Sequence, residues 1–175
     1  MKLVSVPTTV VIVSEKNSDS SIRYYYAYLT EDRTVGRESK HTPQHITLFP
    51  PFIADNKENV LEIAADTASE FSPFVVEADG HSMFGPEKDI PVILIKPDDI
   101  LRSVHLALLN KIEQKNIPIQ PNQFIGEGYV PHISMKFYHP KLDETRSITI
   151  DHIAVMHKDR DVKTVIAKYI LGRSK

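Results

Sequence analysis

Two short segments of the chain, His45-Ile46-Thr47-Leu48 and His132-Ile133-Ser134-Met135, carry one chemical pattern: histidine, apolar, hydroxyl, apolar. On a β-strand successive side chains point to opposite faces, so His45 and Thr47 share one face while Ile46 and Leu48 share the other. The second segment likewise sets His132 with Ser134 and opposes them to Ile133 and Met135. Each strand then anchors itself through its apolar side and presents an imidazole beside a hydroxyl on its open side. The fold must bury one side of both strands and join the open sides of two segments that lie 87 residues apart.

At average residue usage the pattern follows roughly one histidine in fifty, so one copy among the eight histidines would carry little weight and two copies carry much more. The chain holds its own control in His152-Ile153-Ala154-Val155, which has the apolar alternation without the hydroxyl and reads as ordinary strand. Pro43 and Pro131 lie just upstream of the two motifs, where proline favours extended or turn backbone and is tolerated at a strand start.

Composition narrows the class. With 175 residues, 41% hydrophobic and 25% charged, the sequence predicts a single globular domain over residues 1–175. A net charge of -2 argues against a protein that coats duplex DNA, which needs a basic face. The absence of cysteine excludes disulfides, thiolate nucleophiles and cysteine-bound zinc, and accords with a reducing, cytoplasmic setting. The opening MKLVSVPTTVVIV reads as a first strand over residues 3 to 13, because Pro7, Thr8 and Thr9 interrupt what would otherwise resemble a signal peptide. No segment reaches the length of a membrane span.

Along the chain, residues 22 to 30 with Tyr24, Tyr25, Tyr26 and Tyr28 fit helix and strand periods poorly, and residues 31 to 43 read as an exposed loop. Asn56 caps a helix from about Lys57 to Phe71, with Val60, Ile63, Ala64 and Ala68 at helical spacing. A strand from Phe74 to Ala78, a loop from Gly80 to Lys88 and an apolar strand from Pro91 to Lys96 follow. Pro97-Asp98-Asp99 starts a second helix with Leu101, Val104, Leu108, Leu109 and Ile112 on one stripe. The second motif strand runs from about Tyr129 to Phe137. Strands over Ser147 to His157 and Val162 to Leu171 close the chain around the turn Lys158-Asp159-Arg160-Asp161.

PQHITLFP and YVPHISMKF, with the Phe84-Gly85 loop, the strand PVILIKP, the leucine-rich helix and the closing IAVMHKD hairpin, resemble the two-histidine (2H) phosphoesterase superfamily. That superfamily includes proteins named for 2'-5' RNA ligase activity and cyclic phosphodiesterases acting on RNA ends. Its signature is a pair of H-x-[ST]-x motifs with apolar residues at each x, usually preceded by proline; Gln44 stands here where the family often has proline. The resemblance implies an α+β fold with two pseudo-symmetric antiparallel-sheet lobes, and the motifs facing each other across a central cleft. It also implies metal-independent hydrolysis, or reversible formation, of a phosphodiester or 2',3'-cyclic phosphate of an RNA end or small nucleotide, with no cofactor.

Opening a cyclic phosphate needs one proton removed from water and another delivered to the departing ribose oxygen, and two imidazoles near their ordinary pKa of about 6.5 do both. His45 and His132 are the candidate acid and base, in either assignment, and Thr47 and Ser134 are the candidate donors to the nonbridging oxygens. By alternation Lys136 and Tyr138 continue the His132 face and Phe49 the His45 face. Lys136 is then a candidate phosphate contact, with a solvated lysine as the equal competing reading, and Phe49 a candidate platform for a base. Core packing is the competing reading for Phe49 and equally for Phe84. His41, His81, His105, His139 and His157 read as surface or loop residues.

Two other classes stay open. A metallohydrolase would use His41 and His45 with His132 or His139, although Pro43 breaks the helix that a four-residue spacing needs. A noncatalytic nucleotide or RNA-binding module would keep the cleft without turnover. The expected partner is a nucleotide or RNA-end phosphodiester, with no duplex DNA and no membrane, and the chain is expected to be a monomer.

Overall fold

The tyrosine-rich run that fits neither helical nor strand period forms strand β1, Arg23–Leu29. It is an interior strand, paired antiparallel on both sides and buried on both faces, and such strands need no polar alternation. The computed structural model describes residues 23–135 and 146–173, so the strand expected over residues 3 to 13 lies outside the described residues.

A two-residue strand, β2 (Glu38–Ser39), interrupts the expected loop, and β3 (His45–Phe52) carries the first motif. Helix α1 (Lys57–Glu70) begins where the sequence places it: the Asn56 side chain accepts from the amides of Glu58 at 2.8 Å and Asn59 at 3.2 Å. Strand β4 (Phe74–Phe84) is longer than expected. It runs through Gly80, whose φ of +76° absorbs a register shift against β5 (Ile90–Ile95), a bulge that glycine tolerates without a Cβ clash. Helix α2 (Asp99–Gln114) is capped by Asp98, which accepts from the Leu101 amide at 2.8 Å.

A 3₁₀ turn at Gly126–Gly128 leads to β6 (His132–Ser134), the second motif strand. It starts later than the expected Tyr129. The stretch expected as one strand from Ser147 is broken at Asp151 into β7 (Ser147–Ile150) and β8 (His152–Asp159), and β9 (Val162–Ile170) follows.

The α+β class is as the sequence predicts. Among the described residues the strands form one nine-stranded sheet in the order β2-β9-β8-β1-β3-β6-β5-β4-β7, with antiparallel neighbours throughout. The motif strands are therefore hydrogen-bonded neighbours in one sheet, rather than members of two separate sheets that face each other. The sheet curls, since Ile150 pairs with Phe74 at one edge while His152 pairs with Ile170 near the other, and only Asp151 separates the two positions in the chain. Both helices pack on one side, α1 against β8 and β9 and α2 against β3. Their apolar stripes, Val60, Ile63 and Ala64 on α1 and Leu101, Val104, Leu108 and Ile112 on α2, share a core with Ile46, Leu48 and Ile133. No helix among the described residues is long and apolar enough to cross a membrane.

Candidate active site

Ile46 and Ile133, each with no exposed surface, are opposite one another in the antiparallel pairing of β3 with β6. In that register His45 stands opposite Ser134 and Thr47 opposite His132, all four on the sheet face away from the helices. The two histidines are then diagonal neighbours with Cβ atoms roughly 7 Å apart, a spacing at which two imidazoles flank one phosphate. The sheet thus brings together the four residues that the motifs single out.

Both imidazoles are held in the same way. Nδ1 of His45 is 2.7 Å from the Pro43 carbonyl and Nδ1 of His132 is 2.8 Å from the Val130 carbonyl, in each case two residues earlier in the chain. A carbonyl only accepts, so Nδ1 carries the proton and Nε2 is left as the atom that titrates. Burial lowers the pKa of His45, against the Pro43 bond that raises it; the charge of His132 lowers it further and that of Glu31 raises it. Burial also lowers the pKa of His132, again opposed by its carbonyl bond. The Tyr25 ring lies 5.7 Å from that of His45, and the Phe84 ring 4.6 Å from that of His132.

Beside Thr47, His132 and Ser134 a cavity of about 390 Å³ opens, walled by Pro50, Pro51, Phe84, Ile90, Val92, Asn122, Phe124, Tyr129 and Val130. Among the described residues no lysine, arginine, aspartate or glutamate lines it. Phe84 and Phe124 present nearly parallel rings, 12° apart with centroids at 6.1 Å. The cavity suits a flat, uncharged group.

Phe49 is a correction to the sequence reading. The β1–β3 register slips between Tyr26↔Phe49 and Ala27↔Thr47, so β3 carries an extra residue there and alternation ends. Leu48 and Phe49 are consequently both fully buried, and Phe49 packs against Phe52 and His105 in the core, out of reach of a substrate. Phe84, by contrast, reaches the cavity. Lys136, Tyr138 and His139 lie outside the described residues.

His105 is a second correction: it has no exposed surface. It sits on the α2 stripe between Leu101 and Leu108, and that spacing was the signal that it faces inward. Phe124 and Tyr129 were also missed. Gly126 and Gly128 mark their loop, since a Cβ on Gly128 would stand 1.8 Å from the Gln123 carbonyl oxygen and Gly126 has a φ of +65°. Among the described residues no group of three or more histidine and acidic side chains has the arrangement to hold a metal ion.

A family model described as the 2'-5' RNA ligase superfamily matches residues 27–162, a span that holds both motifs. No curated protein matches the sequence significantly. Among solved structures, TT0787 of Thermus thermophilus is similar at 17% identity and a TM-score of 0.59, over 87% of this chain and 100% of that one. E. coli LigT complexed with NADP+ is similar at 12% identity and a TM-score of 0.55, over 87% and 99%. LigT complexed with 3'-AMP gives 14% identity and 0.56, over 86% and 98%. At these identities the likeness is one of fold.

Proposed function

The chain belongs to the 2'-5' RNA ligase superfamily, and on that premise we propose that it is a phosphoesterase that opens, or reversibly forms, a phosphodiester or 2',3'-cyclic phosphate on an RNA end or small nucleotide. The observation that carries the reading is the shared face of His45, Thr47, His132 and Ser134 beside an uncharged, aromatic-walled cavity. The histidines supply the protons, the hydroxyls meet the phosphoryl oxygens, and the cavity takes the nucleoside. The complexes of E. coli LigT with 3'-AMP and NADP+ support a nucleotide as ligand.

In the hydrolytic direction one imidazole Nε2 takes a proton from water as its oxygen bonds to phosphorus. The other, protonated at Nε2, gives its proton to the ribose oxygen as the P–O bond breaks. Thr47 and Ser134 donate to the nonbridging oxygens, where charge builds in the trigonal bipyramidal species. Lys136, assigned on sequence alone, adds a cation to the phosphate. Stacking on Phe84 and Phe124 orients the base, and either ring offers a face that any base accepts.

The test is a screen of the purified protein, with EDTA present, against 2',3'-cyclic nucleotides, 2'-5' linked oligonucleotides and ADP-ribose cyclic phosphate. Turnover in chelator is expected, with a drop of about 100-fold or more in folded His45→Ala and His132→Ala variants. Full activity in either variant would sink the mechanism. Activity that returns only with added zinc or manganese would favour the metallohydrolase, and tight nucleotide binding with no turnover the noncatalytic module.

A further inference from the structure

We infer that His105 is a positioning residue, a latch that ties the loop of residues 122–130 to the first motif strand and so sets the affinity of the cavity for its occupant. The identity of that occupant as a nucleoside rests on the function proposed above; the latch itself rests on geometry.

His105 projects from α2 with no exposed surface. Its Nδ1 donates to the Leu48 carbonyl at 2.8 Å, and its Nε2 accepts from the Gly126 amide at 2.9 Å. Only the neutral tautomer with the proton on Nδ1 makes both bonds. The ring is stacked on Tyr129, with centroids 4.1 Å apart and planes 4° apart, and on Phe49 at 5.5 Å and 22°. Tyr129 in turn donates its hydroxyl to the Thr47 carbonyl at 2.9 Å. One imidazole and one phenol therefore hold the main chain of Thr47 and Leu48 against the loop.

That loop provides Asn122, Phe124, Tyr129 and Val130 to the cavity wall, and the Val130 carbonyl that orients His132. Freeing Gly126 from His105 would loosen the wall while leaving the motif residues themselves unchanged. Binding should suffer before turnover.

The latch is also acid-labile. A proton on Nε2 replaces the acceptor that Gly126 needs with a second donor. The charge of Arg102 acts on the ring from one turn earlier on α2, and Arg102 in turn pairs with Glu127 of the 3₁₀ turn. Burial holds the His105 pKa below the ordinary imidazole value; the bond to Leu48 opposes this and the charge of Arg102 adds to it.

The test uses the full chain and two readouts: amide-exchange protection at Gly126 without ligand, and the dissociation constant of 3'-AMP alongside kcat and KM. In His105→Leu protection at Gly126 should fall about tenfold or more, the loss expected of a buried bond of about 1.4 kcal/mol. The dissociation constant and KM should rise about tenfold, and kcat should fall by a smaller factor. His105→Gln, which offers an amide donor to Leu48 and an oxygen acceptor to Gly126, should restore both. Acidification should lower protection in the wild type, at a pH below the ordinary imidazole range, and not in His105→Gln.

Unchanged protection in His105→Leu, or the same response to acid in wild type and His105→Gln, overturns the latch. If the Leu variant fails to fold, the wild-type and Gln comparison decides. If protection behaves as expected while no nucleotide binds, the proposed function fails and the latch stands.

Discussion

The pH dependence of kcat/KM tests the two-histidine mechanism most directly. Both imidazoles are anchored through Nδ1 to a main-chain carbonyl, at 2.7 Å for His45 and 2.8 Å for His132, so each titrates at Nε2. Burial holds both pKa values below the ordinary value of about 6.5, and a proton on one imidazole opposes a proton on the other. At roughly 7 Å that repulsion is about 0.6 kcal/mol in a water-like medium and about 2.4 kcal/mol at an effective dielectric of 20. It therefore separates the two steps, and the two values belong to the pair.

The active form is the singly protonated pair, so kcat/KM should trace a bell with its maximum below about pH 6.5. In kcat the bell should move to higher pH, because a bound phosphate stabilises the imidazolium. The assay is initial rate against pH on a 2',3'-cyclic nucleotide, for the wild type and for folded His45→Ala and His132→Ala. Each variant should lose one limb and about 100-fold or more in rate, about 2.7 kcal/mol. The double variant should lose far less than the product, since the two groups act as a unit. A flat profile, a bell in kcat/KM centred above neutrality, or single variants that keep both limbs would refute the reasoning.

Thr47→Val and Ser134→Ala should each lower kcat by about 100-fold with KM little changed; an effect confined to KM would assign the hydroxyls to ground-state binding. Phe124→Ala removes one of the two cavity rings and should raise KM roughly 5- to 150-fold, the equivalent of about 1–3 kcal/mol of stacking; steady-state kinetics on mono- and dinucleotide substrates decides it. Ile133, without exposed surface and opposite Ile46, should cost about 2–5 kcal/mol when truncated to alanine, read by urea unfolding, and a loss under about 1 kcal/mol would contradict the packing described. Since His45, His105 and His132 are all held below their unfolded pKa, the unfolded chain takes up protons first as the pH falls through about 6.5. Stability should then decline by up to about 1.4 kcal/mol per pH unit for each histidine until its folded pKa is reached, and a stability that is flat or rises on acidification would count against their burial.

Whatever depends on residues near one another in the chain was legible in the sequence. Alternation in HITL and HISM sets the imidazole and hydroxyl of each motif on one side and the apolar anchors on the other, because the direction of a side chain from a strand is decided by local backbone. Asn56 and Asp98 announce the helix starts for the same reason, their side chains bonding amides two or three residues on. His105 was legible too, had the α2 stripe been read through it.

Other features depend on contacts between distant parts of the chain. The pairing of Ile46 with Ile133, which makes two half-sites into one face, joins residues 87 apart. The bulge that sends Phe49 inward exists only because β1 imposes its register on β3. The break at Asp151 appears because the residues on either side of it pair with opposite ends of a curled sheet. Nor does local sequence show that the 122–130 loop closes a cavity over His132, since its hold on the site runs through His105 and Tyr129 to the main chain of β3. A strand's alternation is a property of its own dihedral angles. Its register, bulges and neighbours are settled by competition among distant pairings, which only the packed core decides.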